Sequence, residues 1–214
     1  MNQEPRISVK GVGNVSLPPD LTVILFEMSA RSYEYGETVV DLNERLANLR
    51  EKLSGVGVDP KQLKTTRFNV DADHRWEKEK RVFNGWLAKH HLRLELSIDR
   101  DLLNRVFEAI TTGKAQTEFS IQFEVRDKAA VRDAVLADAT RSARRNAETI
   151  ASAAGCRLGK VVSMEYGWSE IRFESVNYCL ASGPEEDALA PLDAEPEDVE
   201  AQDSVTVVWE LVEA

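Results

Sequence analysis

Little in this 214-residue chain lends itself to covalent chemistry. It holds two cysteines and three histidines, and no pair of histidines has the His-x-x-x-His spacing that places two ligands on one helix face. Cys156 and Cys179 lie 23 residues apart. They allow one disulfide or two reduced thiols, and a lone pair without a wider cysteine framework favours the reduced reading. Gly11-x-Gly13 lacks the third glycine and the following helix of a phosphate-binding loop, so it reads as a bulged strand. Asp71 and Asp73 lack the glycine and terminal acid of a calcium loop and read as a solvated strand face. No apolar run approaches membrane-spanning length, and the opening Met-Asn-Gln-Glu-Pro-Arg has no apolar core of a secretory leader, so a cytoplasmic location is expected.

A basic excess is missing too. Lys and Arg number 27 against 37 Asp and Glu, a net charge of -10, which speaks against binding nucleic acid through a general positive field. The acidity is local. Residues 183–203 carry Glu185, Glu186, Asp187, Asp193, Glu195, Glu197, Asp198, Glu200 and Asp203 with no Lys or Arg, and the rest of the chain is nearly neutral. With its three prolines this stretch reads as a mobile internal loop.

What is present is architecture. In residues 127–155, Val131, Val135, Ala139, Ala143, Ala147 and Ala151 recur every four positions, one face of a long helix. Alanine lets a helix backbone approach a flat surface, so this face is expected to lie on a sheet. Asp127 is placed to cap its start, Gly155 to stop it, and Arg144–Glu148 and Asp138–Arg141 to pair on the outside. A second helix is expected over 36–54 from Val39, Leu42, Leu46, Leu49 and Leu53, and a third after Asp99 from Leu102, Leu103, Val106, Phe107 and Ile110.

Strands fill the remainder. Residues 7–17 and 21–30 flank Pro18-Pro19-Asp20 and are expected to pair as a hairpin. Residues 61–76 place Phe68, Val70, Ala72, His74 and Trp76 on one side, and 82–98 alternate through Trp86, Ala88, His90, Leu92, Leu94 and Leu96. Residues 119–125, 158–166 and 204–212 add further strands, with 171–180 either an exposed strand or an ordered loop. The order is ββαββαβαβ(β)β, an α+β domain over 1–214 in which three helices pack on antiparallel hairpins.

The ordered landmarks resemble the SIMPL domain family. They are Ile7-Ser8-Val9-x-Gly11-x-Gly13-x-Val15 before Pro19-Asp20, Thr65 at a strand entry, and Gly85-Trp86 where the family usually has Gly-Tyr. The Phe119-to-Asp127 junction, the alanine helix into Ala151-x-x-x-Gly155-x-x-Leu158-Gly159-Lys160-Val161, and the closing Val205-Thr206-Val207 complete the set. The resemblance implies helices on antiparallel sheet and a tendency to form homo-oligomers, ring-like in some members. It also implies links to oxidative-stress defence, the bacterial envelope or a signalling kinase. No catalytic residues are established in the family, so none carries over. The expected lack of a leader, unless one has been trimmed, and the acidic loop would set this chain apart from many bacterial relatives.

Three functional readings follow. The first is a non-enzymatic protein that homo-oligomerises or binds a protein partner, without catalytic, cofactor-binding or metal residues. The second is an enzyme with a site between the hairpins, for which His74, His90 and Asp71 are the first candidates, His74 and His90 approaching across the hairpin. The third is an adaptor that docks basic partners through residues 183–203. The first fits best, because no nucleophile, base and acid fall together. Cys156 and Cys179 are not expected to act in redox chemistry, having little basic neighbourhood beyond Arg157 and Lys160.

Overall fold

A computed structural model describes residues 5–111, 117–167, 173–174, 177–180 and 195–213. In chain order the elements are β1 (Arg6–Leu17), β2 (Leu21–Ser32), α1 (Tyr35–Gly55), β3 (Lys64–Glu77), β4 (Lys80–Ser97), α2 (Arg100–Thr111), β5 (Thr117–Glu124), α3 (Lys128–Ala153), β6 (Cys156–Glu165), β7 (Phe173–Glu174), β8 (Asn177–Leu180) and β9 (Val199–Glu213). The α+β class and the three helices are as the periodicity indicates. The strands divide between two antiparallel sheets, and the chain between two compact units.

The first unit comprises Met1–Pro19, Val125–Ser175 and Glu197–Ala214. Its sheet runs β1-β9-β6, with the two-residue β7 also on β9. Helix α3 buries Val131, Val135, Ala139, Ala143, Ala147 and Ala151, the expected stripe. Three of these alanines pack with Val9, Val205, Val207 and Trp209. The Asp127 carboxylate accepts the Ala130 N–H at 2.9 Å, which satisfies one of the donors a helix start leaves open.

Strand β1 explains why alanine was needed. A Cβ on Gly11 would collide with the Ala139 carbonyl and the Ala143 amide, and one on Gly13 with the Val135 carbonyl and the Ala139 amide. The expected bulge is not there: β1 and β9 pair without a register shift from Arg6↔Glu210 to Leu17↔Val199. These glycines are where the α3 backbone lies directly on the strand.

The expected β1–β2 hairpin is not formed either. β1 pairs with β9, and β2 with β4 and β5 in the other unit. Pro18 and Pro19 lack amide donors, so they suit a crossing between units rather than a ladder-closing turn. The acidic segment needs a correction at its end. Residues 183–194 lie outside the described residues, but Val199 to Asp203 belong to β9, with Val199 and Ala201 buried.

The second unit comprises Asp20–Glu124 and Val176–Pro196, with sheet order β3-β4-β2-β5-β8. Its core joins Ile24, Phe26 and Met28 of β2 and Leu92 and Leu94 of β4 to Leu42, Leu46, Leu49 and Leu53 of α1 and Val106 and Phe107 of α2. Leu102 N–H bonds the Asp99 carboxylate at 3.0 Å, the anticipated start of α2; the expected stop at Gly113 lies outside the described residues. In the first turn of α1 the buried residue is Thr38 and not Val39.

Strand β3 departs from its pattern. No residue of it is fully buried, and Phe68 and Trp76 are 47% and 75% exposed. It is one of the sheet's two edge strands, and its register with β4 shifts between Thr65 and Arg67 and again between Ala72 and His74. Such irregularities change the face along the strand, so strict alternation fails.

Candidate functional site

The residues first suspected of chemistry stand apart. His90 lies opposite Phe68, while His74 lies opposite Phe83, six residues further along β3, about 20 Å at the usual rise per residue. The expected approach of the two histidines is thereby overturned. His90 is 6% exposed, with Nε2 2.8 Å from the Thr65 hydroxyl and the Phe68 ring edge-on at 5.3 Å. Its Nδ1 has no hydrogen-bond partner. Burial pushes the imidazole below its ordinary pKa, and the positive charges of Arg50 and His91 push the same way. It is a neutral core histidine.

His91, on the other face of β4, lies 4.0 Å from the Glu27 carboxylate. Asp71 is exposed and accepts from the Asn69 amide. Among the described residues no three His, Cys, Asp or Glu side chains come together as a metal site. Cys156 is a free thiol in the first unit, and the β8 segment holding Cys179 belongs to the second.

A different group does converge. Tyr35 stands edge-on to Trp86 at 5.5 Å, Trp86 to Phe83 at 6.0 Å, and Phe83 to Tyr33 at 6.3 Å and to His74 at 5.9 Å. Five rings from β3, β4, the β2–α1 link and α1 thus form one continuous array. Tyr33, Tyr35 and Phe83 are 66%, 53% and 41% exposed.

Local chemistry sets it in place. Thr38 Oγ1 accepts the Ser32 N–H at 3.1 Å and donates to the Glu34 carbonyl at 3.0 Å, while the Ser32 hydroxyl donates to Glu37 at 2.8 Å. That ties the start of α1 to the end of β2 and fixes both tyrosines. Gly85 has φ +102°, and a Cβ there would meet the Ser32 carbonyl at 2.7 Å, so only glycine lets β4 bring Trp86 beside this junction. At the margin Asp73 accepts from Asn84 at 2.6 Å and pairs with Arg31 at 3.2 Å. The Asn84 hydrogen bond first, and the Arg31 charge after it, hold the Asp73 carboxyl below its usual range.

Alternation along the sequence places Trp86 and His74 on a strand but not at a surface. The readable signal was Tyr33-Glu-Tyr35-Gly36, two large aromatics in a short strand-to-helix link. The array offers apolar faces and polar tips, a composition that suits association with another surface.

Comparison with known proteins places the sequence among relatives without an assigned activity. The sequence model of the SIMPL family, described as a protein of unknown function (DUF541), matches residues 7–209. The uncharacterized protein YggE of Edwardsiella ictaluri (strain 93-146) is 22% identical over 209 residues, covering 97% of this chain and 87% of that protein. The 26 kDa periplasmic immunogenic protein of Brucella melitensis biotype 1 is 26% identical over 172 residues, covering 76% of this chain and 66% of that one. The expected cytoplasmic location draws no support from these relatives, one of which is periplasmic by name. No helix among the described residues is long and apolar enough to cross a membrane.

Proposed function

The chain belongs to the SIMPL family, and from that premise we propose that it is a non-enzymatic protein acting by association, with further copies of itself or with a protein partner, in a stress response. The observation that carries this reading is the solvent-facing ring array of Tyr33, Tyr35, Phe83 and Trp86. Exposed aromatics in one contiguous group are costly to leave in water, and aromatic residues are enriched at the centres of protein interfaces. The periplasmic name of the Brucella relative supports an envelope-side setting, to be checked by fractionating the native host.

The test is the mass of the full chain by sedimentation, together with crosslinked capture from the native host, for the natural sequence and for a Tyr33→Ser, Phe83→Ser variant. A discrete assembly or one reproducible partner, lost in the variant while its melting temperature holds, supports the proposal. A monomer that captures nothing, or an assembly indifferent to the variant, refutes it.

A further inference from the structure

The first unit contains a crevice of about 410 Å³ between the second half of α3 and strand β6. Trp209, 5% exposed, and Leu158, which packs against the same core cluster, give an apolar patch to a lining that is otherwise mostly polar. Its charged residues come from both sides: Arg144 and Glu148 from α3, Arg157 from β6. Arg144 Nε donates to the Glu148 carboxylate at 2.8 Å, which neutralises the one acid of the lining. Arg157 donates through Nη2 to the Glu213 carbonyl at 3.2 Å. A guanidinium has five N–H donors in a planar fork suited to carboxylate and similar anions. Each arginine therefore keeps most of its donors, and the lining keeps a net positive charge beside the apolar patch of Trp209 and Leu158. Its volume is that of ordinary small-molecule sites, which combine apolar walls with a few polar groups that orient the ligand.

We propose that this crevice binds a small organic anion with an apolar body, held by Arg144 and Arg157 over Trp209 and Leu158. The binding is separate from the association proposed above, because every residue concerned belongs to the first unit. Cys156 lines the same crevice and is a free thiol, so its alkylation reports occupancy without the thiol taking part in binding.

The experiment uses the full chain and three probes: 1-naphthoate, its neutral analogue 1-naphthamide, and iodoacetamide as the alkylating agent, with modification at Cys156 and Cys179 followed by peptide mass mapping. Naphthoate is expected to slow alkylation of Cys156 by about fivefold or more, because charge-assisted hydrogen bonds add to apolar burial. Naphthamide is expected to protect much less, and Cys179 to be unaffected by either. In an Arg144→Gln, Arg157→Gln variant the advantage of naphthoate over naphthamide disappears. Absence of protection in the natural chain overturns the proposal, as does equal protection by the neutral compound, and both are read without any variant. A folded variant that keeps the naphthoate preference overturns the assignment to these arginines.

Discussion

Gly11 lies beneath Ala139 so closely that the helix carbonyl occupies the space a strand side chain would take. Gly11→Ala is therefore expected to lower stability by about 2–3 kcal/mol or more, since a methyl must displace backbone and not a flexible side chain. Gly55→Ala is the control. Nothing lies within 4 Å of a Cβ there, and it ends a helix; the expected change is neutral to about 1 kcal/mol stabilising. Urea unfolding of the two variants measures both.

His90 makes stability depend on pH below neutrality. Its folded pKa is depressed below the ordinary 6.5, so near and below that value the unfolded chain binds more protons than the folded one. The stability from its neutral form is complete above about pH 6.5 and is lost as pH falls towards the folded pKa. The groups facing it are Thr65 and Phe68 of β3, Met28 of β2 and the Arg50 charge from α1, with His91 adjacent on β4. Urea midpoints measured from about pH 7.5 to 5.5 should fall more steeply for the natural chain than for His90→Leu. Equal slopes would remove His90 as the cause.

Thr65→Val breaks the hydroxyl contact to His90 Nε2 while keeping side-chain volume. Leaving the ring nitrogen unpaired should cost about 1–2 kcal/mol at neutral pH. A thermal melt that does not shift would mean water replaces the hydroxyl.

The β3–β4 turn carries Lys78 at φ 45° and Glu79 at φ 66°, two side chains in the left-handed region. Two-residue hairpin loops of this kind favour Asn-Gly. Lys78→Asn with Glu79→Gly is expected to raise stability by about 0.5–1 kcal/mol by relieving that strain. Calorimetry gives the answer directly.

In the first unit, the Tyr166 hydroxyl donates to Asp203 at 3.0 Å, and Asp203 is 8% exposed. That hydrogen bond first, and burial after it, raise the Tyr166 pKa above 10. Tyr166→Phe should lower stability, because the Asp203 carboxylate loses a donor. The loss should vanish at high pH: a raised phenol pKa gives stability that is complete below about 10 and disappears as pH rises through the folded value.

The helices were legible because each repeats a single pattern. The alanine stripe of α3 and the leucines of α1 need only their own spacing to declare a buried face. Partner choice between strands was not. β1 looks able to pair with β2, its neighbour in sequence across two prolines, yet its partner is β9, and nothing local encodes that. Glycine marks bulges and close approaches alike, so Gly11 and Gly13 were assigned the wrong cause. Thr38 displaced Val39 in the first turn of α1 because its hydroxyl serves both Ser32 and Glu34, a gain invisible to hydropathy. The ring array escaped notice for a related reason: a register shift after Ala72 and the positive φ of Gly85 bring His74, Phe83 and Trp86 to Tyr33 and Tyr35.

The middle strand of the first sheet comes last in the chain, and one of its neighbours comes first. During synthesis β1 must wait, its amides unpaired, while everything between is made, because its partner has not yet emerged. Nearly all of the second unit is translated earlier and has its central strands at hand from β2 to β5. The strands of the second unit can therefore pair before β1 and β9 meet, and the alanine helix gains its bed only when they do.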